Sequence, residues 1–315
     1  MDERYDVVVI GGGAAGLSGA LTLARARRSV LVVDAGEPRN APAGHVHNYL
    51  GREGAPPAEL YAIGRDEVEG YGGSVVPGRV VEVRREDGGF RVALEGGGSV
   101  RARRLLLAAG LTDELPVIPG VEERWGSTVL HCPYCHGWEV RDRAVGIVST
   151  GPMGVHAAGL WRQWTDDVVL FVHTGAEPTE EEREQLEARG VRIVHGEVAG
   201  LEGAADIRLA SGELVGRDAV VVAPRFVANA ELVADLGAVP VPVEMQGAVL
   251  GTHLPADPTG RTDVAGVWVA GNTGDVSAQV IVAAAQGLRA GAMINADLVQ
   301  EDARNAVARR RAVAA

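Results

Sequence analysis

Residues 5–34 constrain this chain more than any other stretch. Tyr5–Ile10 reads Y-D-V-V-V-I, a short and nearly continuous apolar run suited to a strand buried on both faces. It leads directly into Gly11-Gly12-Gly13-Ala14-Ala15-Gly16 and then into an alanine-rich segment, Leu17–Arg27, predicted as a helix. A second apolar run, Ser29–Val33, ends on Asp34. Each part has a physical task. Gly11 allows the tight strand-to-helix turn, Gly13 lets backbone approach a pyrophosphate, and Gly16 permits close helix–strand packing. The helix N-terminus offers free N–H groups and a positive dipole end. Asp34 follows the glycines at the spacing where an acid hydrogen-bonds an adenosine ribose. A bare glycine pattern is weak evidence, but the full strand–glycine–helix–strand–acid context predicts a dinucleotide site on a parallel sheet.

The chain has 315 residues, room for two domains of ordinary size, so one such unit need not be the whole fold. All 30 basic residues are arginine, which excludes Schiff-base and lysine-nucleophile chemistry. A net charge of -12 argues against a nucleic-acid partner, which needs a basic footprint. Arg309-Arg310-Arg311 reads as a solvated tail. The first residues show no secretory signal pattern and no apolar run reaches the length of a membrane span, so a cytoplasmic protein is expected.

The two cysteines lie in one motif, His131-Cys132-Pro133-Tyr134-Cys135-His136-Gly137. Two intervening residues place both sulfurs on one turn, close enough for a disulfide or a shared metal. One C-x-x-C gives two of the four ligands of structural zinc, and no second cysteine pair supports His131 and His136 as the others. No metal is therefore expected. Thiol–disulfide exchange fits better: a helix start lowers a thiol pKa, and the partner thiol resolves the mixed disulfide. His136, beside Cys135, is placed to move the proton, against the alternative of a packing histidine.

Arg104–Gly110, R-L-L-L-A-A-G, and Thr262–Asn272, ending in V-A-G-N, resemble the two strand-end signatures of flavoprotein reductases. With the first glycine unit and the central C-x-x-C, their order resembles the low-molecular-weight thioredoxin reductases, FAD-dependent members of the pyridine nucleotide-disulfide oxidoreductases, over essentially the whole chain. The resemblance implies an α/β fold of two Rossmann-like (three-layer ββα) domains. The FAD domain would comprise 1–115 and 243–315, with an inserted NAD(P)-binding-like domain, 116–242, carrying the dithiol. It adds Ala35, Asn48, Val80, Ala109, Gly110, Gly271, Asn272, Gln279 and Val280 to Gly11, Gly13, Ala14, Ala15, Gly16 and Asp34 as FAD contacts. Asn272 stands where relatives carry the Asp of A-G-D, so contact is implied without the charge. His45 and His47 precede the flavin-proximal turn Asn48-Tyr49-Leu50-Gly51, with loop or core roles equally open. The resemblance also implies that Cys135 faces the flavin, that Cys132 meets substrate, and that the protein is a homodimer.

Two departures shift the expected chemistry. The motif C-P-Y-C-H-G carries His136 where reductases have Asp, and so resembles the dithiol oxidases of gliotoxin and holomycin biosynthesis. The second glycine loop, Ser149-Thr150-Gly151-Pro152-Met153-Gly154, has lost its first glycine, and Pro152 removes an N–H. No arginine after the strand Asp167–Val172 awaits a 2′-phosphate. NADPH is therefore doubtful, the alternative being weak NAD(P)H binding through Arg162 or Arg192. The expectation is an FAD-dependent oxidase of a small dithiol using O2. An NAD(P)H-dependent disulfide reductase and a flavin-bound redox sensor are the alternatives.

Overall fold

The computed structural model describes residues 3–245 and 247–314. The chain opens with β1 (Arg4–Ile10), α1 (Ala14–Arg25), β2 (Val30–Asp34), α2 (Pro57–Gly70) and β3 (Ser74–Pro77). It continues through β4 (Val80–Glu86), β5 (Gly89–Leu94) and β6 (Ser99–Leu107). β3, β2, β1 and β6 lie side by side in that order and all run parallel. β6 uses its two halves differently. Ser99–Ala102 pairs antiparallel with β5, itself paired with β4, while Leu105–Leu107 pairs with a strand from near the end of the chain.

Side-chain alternation explains why Tyr5–Ile10 is apolar without a break. Val7 and Val9 face the helices, packed with Leu17 and Leu23, whereas Val8 and Ile10 face Val83 and Phe90 of the antiparallel strands. A strand covered on both faces has no polar side, and three layers result.

β7 (Leu111–Glu114) leads out of this domain. The central domain follows as β8 (Val129–Leu130), α3 (Pro133–His136), β9 (Val145–Val148), α4 (Gly154–Trp161), β10 (Val168–Phe171) and α5 (Glu180–Ala188). Then come β11 (Arg192–Val194), β12 (Val198–Glu202), β13 (Asp206–Leu209), β14 (Leu214–Val215) and β15 (Ala219–Val221). Its parallel sheet runs β11-β10-β9-β15-β8. Ile147 and Leu170 pack under Trp161 and Leu186 on the helical face, and Val148 and Phe171 pack against Ile207 of the antiparallel β12–β14. The sequence shows no internal repeat, yet the same three-layer unit is built twice.

Local chemistry sets the element boundaries. α5 starts at Glu180, because the Thr179 hydroxyl accepts the Glu182 N–H and the Glu182 carboxylate accepts the Thr179 N–H. Beyond β11 the chain breaks at Gly196, whose φ of +108° turns it into β12.

β16 (Arg225–Ala228) returns the chain, antiparallel to β7, so the two crossings between domains are hydrogen-bonded to each other. Once β16 is docked on β7, Ala230, Val233 and Ala238 are buried in the first domain's core with Val80 and Val83. β17 (Val241–Met245) and β18 (Ala248–His253) extend that pair to four strands, and β19 (Val267–Val269) fills the vacant edge of β6. α6 (Val280–Ala314) then packs on α1. A Cβ on Gly287 would lie 2.0 Å from the Ala15 carbonyl oxygen, so only glycine lets the helices approach this closely. Arg103 and Arg104 bind Glu301 and Asp297, and Arg28 binds Asp302, tying α6 to the sheet. No helix among the described residues is long and apolar enough to cross a membrane.

Candidate active site

A continuous cavity of ≈ 1610 Å³ opens between the domains, bordered by the loops at the carboxyl ends of β1, β6, β8, β9 and β15. That edge is where open α/β sheets bind ligands. Gly11, Gly13, Ala14 and Ala15 line it. Gly11 has φ +102°, and a Cβ there would sit 2.4 Å from the Ala108 carbonyl oxygen. Gly13 faces open space and caps α1 without any side-chain hydrogen bond, leaving the first-turn N–H groups for a ligand. Gly16 lies beneath the wall, where a Cβ would approach the Gly11 oxygen to 1.9 Å; it serves helix packing instead of contact. The Asp34 carboxylate accepts the Gly12 N–H at 3.1 Å and lines the cavity with Ala35 and Val80.

Beside the glycine loop, and lining the same cavity, stand Ala109, Gly110, Gly271 and Asn272, with Gln279 and Val280 at the start of α6. The Asn272 amide donates to the Asp275 and Ala278 carbonyls at 3.0 and 2.9 Å, and its oxygen accepts from Arg39 at 3.2 Å. A carboxylate could not donate to those carbonyls, which gives a physical reason for Asn at this position. The uncapped helix start, the Cβ-free cradle and the ribose-side carboxylate together fit a dinucleotide.

Asn48, like Gly16, is a predicted contact that the structure places elsewhere. It does not line the cavity. Held at φ +60°, it donates its amide to the Tyr134 carbonyl at 2.8 Å and its backbone N–H to Glu53, so it grips the dithiol turn. His47 sits beside it, with Nδ1 2.6 Å from Glu53 and Nε2 3.5 Å from Glu139, and both His45 and His47 line the cavity.

Cys132 caps α3, with Pro133 in its first turn. The Cys135 thiol donates to the Cys132 sulfur across 2.6 Å. That bond, together with the N–H groups of Cys135 and Tyr134 and the charge of Arg39, outweighs burial and lowers the Cys132 thiol to about 7. Cys135, which donates its proton, is pushed far up. The resemblance assigns the thiolate–flavin contact to Cys135; the short approach of the two sulfurs favours the charge on Cys132 while Cys135 keeps its proton. Burial lowers the His136 imidazole against the pull of Glu139, keeping it a neutral base, and its Nδ1 is buried with no hydrogen-bond partner. His131 is lowered by burial as well, and its Nδ1 donates to the Val222 carbonyl at 3.2 Å. Among the described residues no cluster of three or more His, Cys, Asp or Glu could hold a metal ion.

Sequence reasoning missed Arg39. Its guanidinium forks onto Asp113 of β7 through two hydrogen bonds of 2.7 Å and lies 5.3 Å from the Phe226 ring of β16. One side chain thus ties both domain crossings to Asn272 and places a positive charge near the thiols. No local pattern marks it, because all its partners are distant in sequence.

The second glycine loop differs from the first. The Ser149 hydroxyl donates to the Gly151 carbonyl at 3.0 Å, and a Cβ on either Gly154 or Gly175 would lie within 2.1 Å of its oxygen. The turn is filled from within. Beyond β10, His173 accepts the Val198 N–H, and Glu177 sits 3.1 Å from His195. Arg162 caps the far end of α4 and donates to the Arg189 and Thr165 carbonyls, while Arg192 opens β11 at the opposite edge of the sheet.

The profile of the pyridine nucleotide-disulphide oxidoreductases matches residues 5–287. Thioredoxin reductase tcpT of Claviceps purpurea is 30% identical over 316 aligned positions, covering 94% of this chain and 95% of that one. Thioredoxin reductase sirT of Leptosphaeria maculans is 30% identical, covering 92% and 93%. The crystal structure of HlmI superposes with a TM-score of 0.89 at 44% identity, covering 98% of this chain and 97% of HlmI.

Proposed function

The chain belongs to the pyridine nucleotide-disulphide oxidoreductase family, and we propose that it is an FAD-dependent oxidase that closes a disulfide in a small dithiol, with O2 as final acceptor. The second glycine loop carries this reading. Ser149 occupies its turn, Pro152 lacks an N–H, and no arginine stands between the end of β10 and Glu177 to take a 2′-phosphate. Electrons therefore enter through the cysteines.

A substrate thiolate attacks the Cys132 sulfur of the Cys132–Cys135 disulfide, and Cys135 leaves as a thiolate. The second substrate thiol displaces Cys132, closing the substrate disulfide and leaving the enzyme dithiol. Both substrate protons remain on the protein side: Cys135 holds one, and neutral His136 is placed to take the other as Cys132 ionises near neutral pH. The N–H groups at Gly13–Ala15 would hold the pyrophosphate and Asp34 the adenosine ribose. FAD, when bound, would supply the two-electron acceptor that restores the disulfide, with O2 as final acceptor giving hydrogen peroxide.

Anaerobic mixing tests the direction. A small dithiol is expected to bleach the flavin absorbance rapidly, with NADPH at least about a hundredfold slower. Rapid bleaching by NADPH would establish the disulfide reductase reading instead, which the names of tcpT and sirT favour.

A further inference from the structure

The carboxyl edge of the central sheet brings two loops to one place. β8 runs into Cys132 and β9 into Ser149, with β15 between them. Two strand spacings separate the loops by about 10 Å. The ends of β9 and β15 line the same cavity as the dithiol, so the cleft before the second glycine loop is continuous with Cys132. Its far wall is one face of α4. His156 and Leu160 are spaced i, i+4, as are Ala157 and Trp161, and all four line the cavity with Met153. His156 is the one titratable side chain on the wall between Ile147 and Trp161. Arg162 is turned away onto backbone carbonyls. An apolar chamber about two strands wide, with sulfur at one end, suits a compact uncharged molecule and not a nucleotide phosphate.

Resting on the dithiol-oxidase reading, we propose that this chamber holds the carbon skeleton of the substrate: a small, apolar, cyclic or aromatic dithiol presented to Cys132. The reaction needs nothing further from the site. The substrate dithiol and the enzyme disulfide become substrate disulfide and enzyme dithiol, transferring two electrons and two protons. The vestigial nucleotide cleft thereby becomes the specificity pocket, with Met153, His156 and Leu160 setting the size and polarity it accepts.

Two variants test this. Leu160→Trp narrows the chamber, and His156→Glu places a carboxylate in it at an exposed position that folding does not depend on. With naphthalene-1,8-dithiol as probe, Leu160→Trp is expected to raise KM at least about tenfold, and at least about fivefold more than it raises the KM for dithiothreitol. His156→Glu should raise the naphthalene dithiol KM several-fold. A second readout needs neither flavin nor turnover. In a Cys135→Ser background Cys132 is the single thiol, and its labelling by bulky, apolar monobromobimane is compared with that by iodoacetamide. Both chamber variants should lower the bimane-to-iodoacetamide rate ratio. An unchanged ratio in both overturns the chamber, whether or not oxygen is consumed. Absence of oxygen uptake with either dithiol overturns the oxidase reading alone.

Discussion

The two glycine loops occupy the same position on two sheets of the same kind, and one is open where the other is shut. At Gly11–Ala15 the backbone is bare, the helix start is uncapped by any side chain, and Asp34 waits at the end of the next strand. At Ser149–Gly154 a hydroxyl fills the turn, and the next strand leads to His173, which is occupied by a backbone N–H. The cores beneath are equally complete, with Val148 and Phe171 as buried as Val9 and Val33. A fold therefore survives on its layers, while its ligand site depends on a few exposed positions that can change independently.

The largest effect should separate the loops outright. Gly11→Val forces a side chain against the Ala108 oxygen at a φ that L residues rarely adopt. It is expected to reduce flavin retained on gel filtration by about tenfold or more. Gly151→Val, at a position with open space, should leave flavin content unchanged. Equal losses would break the comparison.

Next is the thiol between the loops. Cys132 alkylation should rise with pH through a midpoint of about 7, since the thiolate is the reactive form. Cys135→Ala removes the donor that stabilises it, and the midpoint should move toward the ordinary thiol value of about 8.5. A midpoint that stays put would mean that Arg39 and the backbone suffice.

Asn272→Asp sharpens the account of the first site. Loss of the amide donors to Asp275 and Ala278 should destabilise the protein by about 1–3 kcal/mol, read from the denaturant midpoint. The smallest effect concerns the anchoring of α6. Burial raises Glu301, but hydrogen bonds from Arg103 and Arg104 overcome this and leave it lowered; Arg28 and Arg103 lower Asp302. Groups depressed in the folded state stabilise it above their unfolded pKa and lose that contribution as pH falls through the folded value. Tm should drop as pH falls below about 4.5, and Arg103→Met should flatten the decline by a few degrees.

These particulars show what a single sequence could reveal. The first glycine unit and the dithiol were legible because their chemistry lies within a few consecutive residues. Ser149 was legible as a departure, though not as a plug, since the glycines it fills against are Gly154 and Gly175. Arg39, the Asn48–Tyr134 bond and the antiparallel β12–β14 were not legible. Each depends on partners brought together by tertiary folding, which no local period or spacing records.

The divided use of β6 has a consequence for how the chain is made. Its Leu105–Leu107 edge waits for β19, and α1 waits for α6, both of which leave the ribosome only after the whole central domain. The inserted unit, contiguous from β8 to β15, has all its strands in hand first. During synthesis the dithiol should therefore be folded on a finished platform while the flavin domain is still half a sheet, and cofactor capture should be among the last events of biogenesis.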